Sequence, residues 1–250
     1  MHPVLARYLD PGLTREILRR VDAGEDVGPE HRHLGEIARE WSEERKEILA
    51  APEHLPPPAQ SALLFLATHA ALRAAREDPS LGPAIAKAEE ALRAYRAGPG
   101  EPEALFAQLM AEEAFGTDED PDSFDEEWIR EGLRDLPRLL ALDEARVQAL
   151  LGEFAGGATG AAKRYRTRAA RLLLEAAWGD GIAPINVEHV EQALNGLRQA
   201  FGDDDFSAAA LALEAFVTFL HEQSLMGKVR AARLGRMAGL AALLHPPSEA

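Results

Sequence analysis

Asn186-Val187-Glu188-His189-Val190-Glu191-Gln192-Ala193-Leu194-Asn195-Gly196-Leu197-Arg198-Gln199-Ala200-Phe201 is the stretch on which the fold turns. Its apolar residues Val187, Val190, Leu194, Leu197 and Phe201 recur at spacings of three, four, three and four. Those intervals return to one side of a helix with about 3.6 residues per turn, and they do not keep to one side of a strand. Asn186 offers a side-chain oxygen to the first free N–H groups, so the spacing predicts a helix that starts there. The sixteen residues therefore read as a capped, amphipathic helix.

The same period recurs on both sides. Downstream, Asp203, Asp204 and Asp205 lead into an apolar helix from Phe206 to Glu222, and a further helix runs from Lys228 to Leu244. Upstream, a long helix is predicted from about Gly160 to Trp178, and a short one from Asp143 to Phe154 that ends at Gly156-Gly157. Trp128 and Ile129 open the apolar face of another helix, preceded by Ser123 and Glu126 at capping-box spacing. Pro137 is expected to kink or divide it. In the first half, Thr14 is placed to cap a short helix through Ile17, Leu18 and Val21 that stops at Gly24. Pro29 suits a first helical position, and the helix after it sets Leu34, Ile37, Trp41, Ile48 and Leu49 near one face. Pro56-Pro57-Pro58 forces a break. Ser61 to Arg76 is apolar nearly all round and is expected at the centre of its bundle. Helices at 83–97 and 101–115 are separated by Gly98-Pro99-Gly100. No stretch shows the alternation and β-branched enrichment of a strand. The expectation is an all-α, multi-helix bundle of about ten helices in two subdomains, 1–116 and 125–250, joined by an acidic loop at 117–124. Ala71 to Leu92 aligns without a gap to Leu173 to Leu194 with seven of 22 positions identical, which Ala- and Leu-rich helical hairpins produce readily.

Composition narrows the function classes. The chain has 250 residues, a net charge of −15 and no cysteine. There is no disulfide framework, thiolate metal site or cysteine nucleophile. Arg outnumbers Lys 23 to 4, the bias of a GC-rich bacterial genome. Met1-His2-Pro3 lacks a basic region followed by an apolar stretch, and no apolar run reaches the ~20 residues of a membrane span. The expected location is the cytoplasm. A strongly negative chain also disfavours non-specific adsorption to nucleic acid.

The motifs that carry chemistry elsewhere are incomplete here. Asp118, Asp120 and Asp122 have the spacing that opens an EF-hand loop, but Ser123 and Ile129 stand where it needs Gly and a bidentate Glu. Glu43-Glu44-Arg45-Lys46-Glu47 resembles the first half of the carboxylate motif of all-α nucleotide pyrophosphatases, without the Glu-x-x-Asp that completes it. Glu30-x-x-His33 has di-iron spacing but no second copy. Gly156-Gly157-Ala158-Thr159-Gly160-Ala161-Ala162-Lys163 departs from a phosphate loop, because two alanines precede the lysine and Arg164 follows it. The segment Arg168 to Leu194 is locally similar to AAA+ lid domains and histone-like folds, through Ala169-Ala170-Arg171-Leu172-Leu173, Gly181-Ile182 and Val187-Glu188-His189-Val190. It covers about a tenth of the chain, no Walker motif accompanies it, and it implies no function. No catalytic residue, metal ligand or cofactor is expected.

What remains is the sorting of charge. Glu112 to Glu127 carries nine carboxylates and no base. Two helices are almost purely cationic. One bears Lys163, Arg164, Arg168 and Arg171, the last three on one face; the other bears Lys228, Arg230, Arg233 and Arg236, the arginines again sharing a face. Guanidinium groups bind carboxylate or phosphate bidentately. The expected function is a non-enzymatic helical interaction or adaptor protein, with a protein partner or a second copy on these faces. Nucleic-acid or nucleotide-phosphate binding through the two arginine faces comes second, and an all-α metal-dependent hydrolase third. Ion pairing of the same arginines within the molecule is the competing use of these charges.

Overall fold

A computed structural model describes residues 11–52, 56–95, 126–179 and 183–245. Among the described residues the chain forms ten α-helices, a single 3₁₀ turn and no strand, so the fold is all-α. The helix expected at 101–115 and the acidic loop at 117–124 lie outside the described residues, as does Ser123. Backbone contacts divide the chain into two compact units, Met1–Glu126 and Glu127–Ala250.

The first unit is built around α4 (Pro57–Glu77), on which α1 (Pro11–Asp22), α2 (Arg32–Glu40), α3 (Ser42–Ala50) and α5 (Gly82–Tyr95) all pack. Ala59, Ala62, Leu66, Ala67, Ala70, Ala71, Leu72 and Ala75 are buried along it, which is why its sequence is apolar nearly all round. Small side chains let neighbouring helices approach closely, and each fully buried leucine contributes about 1.5–3 kcal/mol. Three local readings are corrected. Thr14 does not cap α1: it is buried inside the helix, whose described residues run from Pro11. The helix expected from Ser61 starts at Pro57, so the break before it is present but Pro57 and Pro58 themselves form the first turn of α4. The helix expected to run unbroken from Pro29 past Ile48 is split at Trp41, whose backbone (φ −106°, ψ 67°) leaves the helical region. The split turns the Trp41 ring edge-on to Phe65 at 4.9 Å, and Arg45 then donates to the Ala38 carbonyl at 2.6 Å.

The second unit comprises α6 (Glu126–Leu140), α7 (Glu144–Gly156), α8 (Gly160–Trp178), α9 (Val187–Glu222) and α10 (Lys228–Leu244). Its spine is α9, which packs along both α8 and α10. The Asn186 cap is as read: its Oδ1 accepts from the His189 N–H at 2.9 Å, and His189 Nδ1 accepts from the Asn186 N–H at 3.2 Å. Leu172 of α8 seats against Gly196, where an added Cβ would meet it at 3.0 Å. The helices expected on either side of Phe201 are as read: α9 consists of two helical halves that meet at a kink at Gly202. Gly202 takes φ 68° and ψ 179° at the bend, a left-handed conformation open to glycine at no steric cost. Asp203, Asp204 and Asp205 then begin the second half, where carboxylates suit the positive end of the helix dipole. Pro137 does not divide α6, which runs through it to Leu140.

Candidate anion-binding helix face

The two cationic helices have different fates, and the difference begins at their N-termini. At α10 the first N–H groups are satisfied by carboxylates from α6. Asp135 Oδ2 accepts from the Gly227 N–H at 2.7 Å. Glu131 accepts from the Val229 and Arg230 N–H groups at 3.0 and 2.8 Å. Both acids are buried. Burial raises the Asp135 pKa above the usual carboxylate value; the Gly227 N–H and Arg230 oppose the rise, Glu131 adds to it and Arg138 opposes it. Glycine at 227 belongs to the same construction, because a Cβ there would collide with the Glu131 carboxyl.

Arg230 lies inside this network and not on an exposed ridge, which corrects its place among the candidate binding residues. It is 1 % exposed. Its two terminal nitrogens donate to the carbonyls of Ile185 (2.9 Å) and Trp128 (3.0 Å), and the guanidinium lies 3.8 Å from the Trp128 ring centroid. Arg233 is drawn to the same indole at 4.8 Å. Lys228 and Arg236 are exposed. The physical reason is the position of Arg230 in the first turn of α10, where α6 arrives to cap the helix. A sequence signal for this network exists. Glu131 and Asp135 fall in register with Trp128, Leu136 and Leu139 on the buried side of α6, and acids on an apolar stripe are rare unless they have partners.

At α8 none of this occurs. The first turn holds no acid, and the Thr159 side chain makes no capping hydrogen bond. Gly160, Lys163, Arg164, Thr167, Arg168 and Arg171 recur at helical spacing and line a shallow groove of about 440 Å³. The stripe covers about 16 Å at 1.5 Å per residue. Lys163, Arg168 and Arg171 are exposed, and among the described residues none has a carboxylate within ion-pair distance. Arg164 is partly engaged. It reaches Asp205 at 3.4 Å and lies 5.6 and 5.4 Å from the ring centroids of Tyr165 and Phe201. Tyr165 meets Phe201 edge-on at 5.0 Å, and the neighbouring Asp205 carboxylate, aided by desolvation, raises the phenol pKa. Neither Glu188 nor Glu191 pairs with these bases; Glu188 accepts from Gln192 instead.

The two faces do not form one groove. α9 packs against both α8 and α10, and the two cationic helices make no comparable contact with each other. Of the eight candidates, Lys163, Arg164, Arg168 and Arg171 are brought together, Arg230 is built into the core, and Lys228, Arg233 and Arg236 stand apart on α10.

The remaining motifs resolve simply. Glu43 of the pyrophosphatase-like run pairs with Lys46 at 2.8 Å on exposed α3. His33 is largely covered, not solvated, with its Nε2 3.3 Å from Glu77. Among the described residues no three or more His, Asp or Glu side chains are placed to hold a metal ion. No helix among them is long and apolar enough to cross a membrane. Comparison with known protein families, with curated proteins and with solved structures finds no match for this chain.

Proposed function

We propose that this protein is a non-enzymatic interaction protein whose second unit binds an acidic polypeptide segment along the outer face of α8. The observation that carries the reading is the set of exposed bases at Lys163, Arg168 and Arg171, without carboxylate partners among the described residues, in a molecule that carries 42 acids. Folding does not favour this arrangement. Lys163 sits one turn from a helix N-terminus, where the dipole opposes positive charge by about 0.3–1 kcal/mol. The adjacent uncapped N–H groups add to the attraction for an anion.

A polypeptide suits the face better than nucleic acid. Single strands are held by aromatic stacking as well as by phosphate contacts, and the aromatic ring within the cluster, Tyr165, is already engaged by Phe201 and Asp205.

The test is fluorescence anisotropy with a labelled Glu- and Asp-rich peptide and, in parallel, labelled single-stranded RNA and DNA. The peptide is expected to bind at low salt. The triple variant Lys163→Glu, Arg168→Glu, Arg171→Glu is expected to weaken that binding by about tenfold or more, with its helical circular dichroism intact and its melting temperature equal or higher. Unchanged peptide binding in the variant would overturn the reading. Tighter binding of RNA or DNA than of peptide would transfer the face to phosphate recognition.

A further inference from the structure

We propose that the groove between α7, α8 and the second half of α9 is a separate docking surface that takes a cationic amphipathic helix from another polypeptide. It rests on different residues from the α8 face and on the opposite sign of charge.

Two sides of the second half of α9 are covered. Ala209, Ala210, Leu213, Phe216, Val217 and Leu220 are buried where α8 and α10 pack on the helix. Leu211, Glu214, Ala215, Thr218, Phe219 and Glu222 form a third stripe, at intervals of three, one, three, one and three, which lines an open groove of about 510 Å³. The intervals are those of one face of a helix. The stripe is about 16 Å long, or about three turns. Ala215, Phe219 and Leu211 give it an apolar strip between polar edges. Phe154 packs tilted against Phe216 (4.9 Å) and Phe219 (5.4 Å) beneath it, and Leu211 is 49 % exposed at one end.

Charge selects the occupant. Glu214 and Glu222 edge the floor, and among the described residues neither has a hydrogen-bonded or ion-paired side-chain partner. Glu153 also lines the groove and pairs with Arg146 at 3.0 Å. The base on this lining is Arg166, whose guanidinium is committed to the Phe154 carbonyl at 3.3 Å and to the Phe154 ring at 5.4 Å. An apolar floor between carboxylates complements an apolar helix stripe flanked by lysine or arginine, the helix-in-groove mode of recognition. An acidic segment or a phosphate backbone would meet like charge here.

The experiment titrates a fluorescein-labelled amphipathic Leu/Lys helical peptide of about four turns into the full chain and follows anisotropy. Leu211→Asp and the pair Glu214→Gln, Glu222→Gln test the floor and the rim. The pair Glu43→Gln, Glu47→Gln on exposed α3 makes the same change in net charge far from the groove residues in sequence and in the other unit. Circular dichroism confirms that each variant folds. Each groove variant is expected to weaken binding by about tenfold or more, while the α3 pair stays within about twofold. No binding by the wild type would overturn the proposal. So would equal losses in the groove and α3 pairs, because the peptide would then be reading net charge alone.

Discussion

Replacing Arg230 with methionine removes a buried guanidinium while keeping most of the volume of its stem. Two hydrogen bonds from a charged donor disappear, to the Ile185 and Trp128 carbonyls, each worth about 1.5–3 kcal/mol. The cation 3.8 Å from the Trp128 ring centroid goes with them, at about 2 kcal/mol for a desolvated pair. The gross loss is therefore about 5–8 kcal/mol. Part is returned, because a buried guanidinium carries a desolvation penalty that methionine does not. Against that return, Glu131 and Asp135 stay buried beside a site that has lost its positive charge. Removing one partner of such a set costs about 3–5 kcal/mol, the net loss expected here. The assay is urea unfolding by tryptophan fluorescence in a Trp41→Phe background, so that Trp128 and Trp178 report the second unit. With a slope of about 2 kcal/mol per molar, the midpoint should fall by about 2 M. Arg168→Met, made on the exposed face of α8, should change stability by no more than about 0.5 kcal/mol. A loss for Arg230→Met below about 1 kcal/mol, or no larger than that for Arg168→Met, would refute the assignment of Arg230 to the core.

Two further outcomes follow from the partly or fully buried titrating groups His189 and Asp135. Desolvation, opposed by Glu188 and aided by Arg230, lowers the His189 pKa below its ordinary 6.5. Stability from this group is thus present above the unfolded value and lost as pH falls through the folded one. His189→Gln keeps an acceptor for the Asn186 N–H and should flatten the stability profile below neutrality; an unchanged slope there would count against the neutral, capping imidazole. Asp135 has the opposite sign. Its folded pKa lies above the ordinary 3.8, chiefly through burial, so its contribution is fully present below 3.8 and declines as pH rises through the folded value. Asp135→Asn should therefore gain on the wild type across that window, and a mutant that loses ground as pH rises would show that Arg230 outweighs burial.

The comparison of α8 with α10 shows how far the chain could be read in one dimension. Both helices, and the cationic face of α8, follow from periodicity and charge alone, because a helix places residues three and four apart together whatever surrounds it. The Asn186 cap was legible for the same reason, its hydrogen bonds reaching only three residues along the chain. Arg230 was not. Its partners, Trp128 and Ile185, are 102 and 45 residues away, and nothing local distinguishes it from Arg233. The break at Trp41 was missed because the residues around it keep helical spacing, and the reward for leaving the helix is contact with Phe65 and His69 on another element.

Local pattern by itself decided that this protein is helical, where helices such as α7, α8, α9 and α10 start, and that its bases gather on two of them. Those properties depend on backbone geometry and on neighbours within one turn. Which bases remain available to a partner was settled only when the chain closed on itself. Glu131 and Asp135 of α6 reach the N-terminus of α10 and draw Arg230 inward, while no acid of the first turn caps α8. An unpaired charge tolerates water and a buried one requires an opposite charge or a carbonyl, so the availability of each arginine is a property of its surroundings in space.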